Sequence, residues 1–225
     1  ITMNQRLDGN DTLSLAVGHH KGRATYTSLM AESKIQSGRW HHMGQASWNR
    51  PANDNSLLTL GGMQRELALA SRYRIAQNID SNLRLSYADL LRQEDSGQLG
   101  KRKQLDANLE WTGRQPGGFT LSLAGQYANY QPRDESISFF PADVSRISLT
   151  LGYGLAYQEG YTKAWRPFGS GVISQNRRNG MESAWQLGIA GSVFGSDHLA
   201  IYGGRSLLKN GESSSFGSIL YRWFF

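Results

Sequence analysis

Five histidines are the first residues to weigh for chemistry, and four come as neighbours, His19-His20 and His41-His42. Adjacent residues of an extended strand point to opposite faces, so neither pair closes on one metal ion. The sequence has no cysteine, which removes thiolate ligands, catalytic thiols and disulfides together. His198 follows Ser196 and Asp197, the residue types of nucleophilic hydrolysis. No spacing motif ties those three into a triad. The pairs Gly61-Gly62, Gly117-Gly118 and Gly203-Gly204 lack the strand-to-helix setting of a phosphate-binding loop. The arginines are interleaved through strand-like segments and form no basic stripe, so nucleic acid is not an expected partner. Catalytic residues, metal and cofactor are all expected to be none.

What remains is non-covalent chemistry spread along alternating segments. Arg146–Tyr157 sets Ile147, Leu149, Leu151, Tyr153, Leu155 and Tyr157 against Arg146, Ser148, Thr150, Gly152, Gly154 and Ala156. Period-two alternation is the mark of a strand with one apolar face. Lys103–Thr112 and Gly118–Gln131 repeat it, with Leu105, Leu109 and Trp111 in the first and Phe119, Leu121, Leu123 and Tyr127 in the second. Further strands are expected at Ile1–Leu7, Thr12–His20, Arg23–Met30, Trp40–Asn49, Met63–Ala76, Asn82–Arg92, Lys163–Ser174, Ala184–Phe194, His198–Ser206 and Phe216–Phe225. Lys163–Ser174 is the weakest of them, because Pro167 cannot donate to a ladder.

The polar sides of these segments are where a function would sit. Parity puts Arg72, Arg74, Arg84, Arg146, Arg166 and Arg222 there, with Arg92 and Arg39 as additions. Asp106, Glu110 and Glu66 oppose them, and Gln126, Tyr130, Gln186, Asn108 and Tyr202 supply neutral donors, acceptors and rings. Such a wall is read either as a channel lining that touches hydroxyl-rich cargo lightly or as a stabilising network of ion pairs. The loop Gln131–Val144 carries Asp134, Glu135, Phe139 and Phe140, an expected gate or, alternatively, ordinary loop packing.

The apolar sides demand a covering. No apolar run approaches the ~18 residues of a membrane helix. The low mean hydropathy still suits a membrane barrel, whose lumen-facing residues offset the lipid-facing ones. The last nine residues, Gly217–Phe225, place Ile219, Tyr221, Trp223 and Phe225 at every second position. A terminal Phe with alternating aromatics resembles the assembly signal of bacterial outer-membrane barrels, which implies contact with lipids and with barrel-assembly machinery. Trp40 and Trp48, eight apart, suit one ring at each membrane boundary. The expected fold is all-β, a transmembrane antiparallel up-and-down β-barrel of roughly 14–16 strands, about 13 of them visible. Ala31–Arg39 could hide one more. Links are expected to alternate between long and short, with Pro132–Val144 long and Gln158–Thr162 short. The links are counted back from a C-terminus expected in the periplasm. The 225 residues are read as one barrel domain, a fragment of a longer exported chain.

The segment Gly195-Ser-Asp-His-Leu-Ala-Ile-Tyr202, with the following hairpin and the Tyr-Arg-Trp-Phe-Phe end, is similar to the C-terminal barrels of exopolysaccharide export porins. Within that group it looks most like the Pel-type porins. The resemblance implies a barrel of about sixteen strands and an upstream periplasmic tetratricopeptide-repeat scaffold. It also implies passage of a secreted polysaccharide and a periplasmic or outer-membrane lipoprotein partner. It implies a cationic polymer, whereas the arginine excess on the wall favours neutral or anionic cargo. Alternatives are a general porin, a phage-adsorption protein, a surface-lipoprotein assembly factor, a barrel enzyme or a soluble β-sandwich binding module.

Overall fold

The computed structural model describes residues 2–6, 11–21, 25–52, 61–113, 117–134, 140–178, 180–208 and 211–223. Glu135, Phe139 and Phe225 lie outside them. The strands are β1 (Thr2–Arg6), β2 (Thr12–Lys21), β3 (Thr25–Ser37), β4 (Trp40–Pro51), β5 (Gly62–Ala76), β6 (Ile79–Arg92) and β7 (Gln98–Thr112). They continue as β8 (Phe119–Pro132), β9 (Val144–Tyr153), β10 (Arg166–Asn176), β11 (Gly180–Gly191), β12 (Asp197–Leu207) and β13 (Ser213–Trp223), with one short helix, α1 (Ala156–Glu159). Strand order follows chain order from β1 to β13, each strand hydrogen-bonded to its sequence neighbours. This is the expected all-β, antiparallel, up-and-down arrangement.

The distribution of apolar side chains is inverted relative to a water-soluble fold. Forty large hydrophobic residues are exposed, against eleven buried hydrophobic ones, among the described residues. In β9 the exposed set is Ile147, Leu149, Leu151 and Tyr153, and in β5 it includes Leu67 and Leu69. Several of the buried positions are polar instead, among them Glu66, Arg102, Gln64 and Ser174. A surface so rich in contiguous apolar groups is stable only under an apolar solvent.

The chain groups into two compact units. The first comprises Ile1–Arg74, Ser81–Ala107 and Gln126–Val144. In it β3 runs unbroken through residues 31–37, so Ala31–Arg39 hides no separate strand. Arg39 sits in the tight turn after Gly38 (φ 59°) and is not a wall residue, and its carbonyl accepts from the Arg74 amide at 3.0 Å. The apolar cluster of this unit is small: Ala52, Leu90 and Leu99, with Tyr130 and Phe140 packed on it.

The second unit comprises Ile75–Asp80, Asn108–Gly125 and Ser145–Phe225. Here β9 stops at Tyr153, four residues before the expected end. Gly154 (φ 64°) turns the backbone into a conformation that side chains resist. Residues 154–165 then form a twelve-residue link containing α1, where a short turn was expected. Pro167 is tolerated within β10 because only residues 169–176 pair with β9, while Arg166–Phe168 pair on one side, with β11. The expected alternation of links therefore fails in this unit. The link at 154–165 is long, and β10 and β11 are separated by three residues where a long loop was expected.

Candidate functional site

The polar face is built by the same pairing that exposes the apolar one. In an antiparallel ladder opposed residues share a face, so Ser170, Gln186 and Gly204 fall in one cross-strand row, with Phe168, Gly188 and Tyr202 in the next. Gln186 is half-buried within its row. The rows belong to the second unit and carry mostly small or hydroxyl-bearing residues.

Several charges on this face are tied to one another. In the first unit Glu66, 7% exposed, takes Arg84 at 3.4 Å and Arg102 at 3.1 Å on the same oxygen. Gln64 Nε2 donates to its other oxygen at 3.3 Å. A carboxylate so far out of water is stable only with its charge opposed and its lone pairs filled. In the second unit Arg146 reaches Glu182 at 3.2 Å and donates to Ser174 Oγ at 2.8 Å. Asp106 accepts from Gln104 at 2.7 Å, and Glu110 from Thr112 Oγ1 at 3.4 Å. Arg72, Arg74, Arg166 and Gln126 are exposed.

Arg102 and Glu182 escaped the sequence reading for one shared reason. Both lie just before the expected strand starts at Lys103 and Ala184, while the actual strands begin at Gln98 and Gly180. Carrying the alternation one or two residues upstream would have found them.

Two features are matters of folding back. Phe140 packs over Gly100, with its ring 6.3 Å from Tyr130 in an edge-on arrangement. Asp143 anchors that stretch, accepting the Tyr130 amide at 2.7 Å and Asn129 Nδ2 at 3.0 Å. Asp134 is exposed. In the second unit the link 154–165 turns onto the polar face. Tyr157 packs on the cluster Phe168, Ala190 and Ala200. His198 Nε2 lies 3.1 Å from the Gln158 carbonyl, and Arg222 Nη1 donates to the Glu159 carbonyl at 3.0 Å. Leu155 and Tyr157, expected among the lipid-facing residues, are therefore placed differently: Leu155 is half-buried and Tyr157 joins the polar-face cluster.

His198 and its neighbours do not assemble a nucleophile. Asp197 is spent on its own turn, accepting from Ser192 Oγ at 2.9 Å, Val193 N at 3.0 Å and Phe194 N at 2.8 Å. His198 is fully buried and is held to the backbone of α1. Among the described residues no group of three or more His, Asp or Glu could hold a metal ion.

The apolar face carries exposed aromatic rings. Trp40 and Trp48 are 44% and 50% exposed. Trp40 packs on Tyr73 with ring centroids 4.4 Å apart, and Arg65 stacks 3.7 Å over Trp48. On β13, Ile219, Tyr221 and Trp223 are all exposed on this face.

The family described as PelB, C-terminal beta barrel domain, matches residues 2–224. Among solved structures, OccK11 (OpdR) of Pseudomonas aeruginosa, an outer-membrane porin barrel, matches with a TM-score of 0.60 at 13% identity. The match covers 96% of this chain and 66% of that one. At that identity the likeness shows the fold alone. No curated protein sequence matches the chain. In a barrel of this class the apolar face meets lipid and the polar face lines the interior.

Proposed function

The chain belongs to the family of PelB C-terminal β-barrel domains, and from that premise we propose that this outer-membrane barrel is the conduit through which a secreted exopolysaccharide leaves the cell. The barrel performs no covalent step. Polymer is driven from its site of synthesis, and the wall supplies brief, replaceable contacts. The observation that carries this reading is the state of the wall's charges. Glu66 is occupied by Arg84 and Arg102, and Arg146 by Glu182. Opposed charges exert a weak field on passing material, while the Ser, Gln and Tyr side chains between them exchange hydrogen bonds readily with hydroxyl groups.

In this reading Arg72, Arg74, Arg84, Asp106, Glu110, Gln126, Tyr130, Arg146, Arg166, Gln186 and Arg222 line the path. The loop containing Asp134, Glu135, Phe139 and Phe140 governs its width. Ile219, Tyr221, Trp223 and Phe225 are recognised by the barrel-assembly machinery. The C-terminus lies in the periplasm, where a lipoprotein partner docks.

Deleting the gene and measuring secreted polysaccharide beside lipid and protein surface markers tests the proposal. Loss of polysaccharide with the other markers intact is the expected result. Normal polysaccharide with loss of small-solute uptake, of a surface lipoprotein or of phage adsorption would replace export with the corresponding alternative.

A further inference from the structure

We propose that Phe216, with Tyr202 at its edge, is a stacking subsite for a pyranose ring on the inner wall, a refinement that rests on the export reading above. Phe216 shares its face of β13 with Ser214 and Ser218 and stands opposite Gly204 of β12. A methyl group at Gly204 would lie 2.8 and 3.0 Å from Cε1 and Cζ of Phe216, so the phenyl ring covers that glycine. The ring is nevertheless 50% exposed. One side is taken by the backbone and the other is open.

Covering a strand glycine with a cross-strand aromatic ring stabilises a sheet, and that accounts for the closed side. The open side takes no part in that covering, and β13 ends the sheet, so the flank of the ring is bare as well. Tyr202 stands edge-on to Phe216 with centroids 6.2 Å apart, and Phe168, 2% exposed, is 5.9 Å from Tyr202. A methyl group at Gly188 would be 2.6 Å from Phe168 Cζ, so the innermost ring is set against a second glycine and holds the row rigid.

The surroundings select the ligand class. One register step either way, the face offers the Tyr202–Ser218 and Ser206–Ser214 pairs. No charged side chain occurs on that face of β12 or β13 within the same step. An aliphatic chain would need a continuous apolar strip, and an anion would need a cation beside it. A pyranose has a flat C–H side for the ring and hydroxyl groups at its rim for the serines. Aromatic rings flanked by small polar residues match that amphipathic outline, and the subsite is indifferent to the charge carried elsewhere on the polymer.

The trial uses the full-length protein in planar bilayers with maltohexaose as a neutral probe, reading the dwell time of sugar-induced current blocks. Wild type should show resolved blocks. Phe216→Trp should keep them, and Phe216→Leu should shorten them roughly five- to tenfold at unchanged open conductance, the size of one lost aromatic contact. Tyr153→Leu, on the lipid face, should leave dwell times alone. Tyr202→Leu is read in the same way, with the same expected loss, and decides the matter if Phe216→Leu does not assemble. Unchanged dwell in the inner-face leucine variants, or an equal loss in Tyr153→Leu, overturns the subsite. An open pore that the sugar never blocks also overturns it while leaving the export reading standing. A wild-type protein that forms no pore defeats both.

Discussion

Placing an arginine at Leu149 tests the sidedness on which the rest depends. Leu149 is 48% exposed in the middle of β9, four residues from Tyr153. The Tyr153 ring packs on Phe119 at 5.0 Å, at the strand end where a boundary aromatic is expected. A rise of about 3.3 Å per residue and a tilt of roughly 40° give about 2.5 Å of depth per residue. Leu149 is then about 10 Å inside that boundary, close to the middle of a band about 25 Å tall. Leu151 is about 5 Å inside it by the same rise and tilt. An arginine costs about 2–4 kcal/mol at the midplane and about 0–1 kcal/mol near an interface. Leu149→Arg should therefore lose about 3 kcal/mol, and Leu151→Arg about 1.5 kcal/mol. Thr150→Arg, on the polar face between them, should lose under about 1 kcal/mol. Urea titration in lipid vesicles, followed by tryptophan fluorescence and gel mobility with and without heating, measures all three. Equal losses at Thr150 and Leu149, or a Leu149 variant within about 0.5 kcal/mol of wild type, would refute the assignment of faces.

Four further outcomes are expected. Glu66→Gln leaves two guanidinium groups facing an uncharged amide, so stability should fall by about 1–3 kcal/mol, and a reversal potential measured in a KCl gradient should move towards anion permeation. Unchanged selectivity would place those arginines away from the ion path. Gly117→Ala introduces a methyl group into the Tyr157 ring at a backbone φ of 70°, at a cost of about 1–2 kcal/mol for the left-handed conformation alone. Tyr157→Ala should keep the barrel and hasten proteolysis within residues 154–165, and an unchanged cleavage rate would mean that Tyr157 does not hold that link. Removing Phe225 should lower the yield of heat-modifiable barrel in membranes without altering sugar binding, and normal assembly would dismiss it as a signal.

The strands were legible because alternation is imposed directly by the two faces, and every residue from Ile147 to Tyr153 obeys it. The same rule misled at Leu155 and Tyr157. A ring that turns onto the interior after a left-handed glycine continues the odd-numbered pattern as faithfully as one in lipid. Gly154 carried the warning, since its φ of 64° ends the strand, but a glycine in a strand sequence does not announce which conformation it adopts. Strand beginnings were read late in β7 and β11, which start at Gln98 and Gly180. Arg102 and Glu182 were lost that way, and with them one of the two arginines on Glu66 and the carboxylate on Arg146. The covering of Gly204 by Phe216 could not be read at all, because it depends on the register between β12 and β13, and no periodicity within a single strand fixes that register.

The turn closed by Asp197 also has a bearing on timing. Ser192, Val193 and Phe194 all bond to one carboxylate within a span of six residues, so closure asks for almost no chain entropy. Hairpins seeded in this way zip in microseconds, and β12 then offers eleven consecutive positions to β13. The β11–β12 hairpin is thus fitted to close from contacts within its own turn.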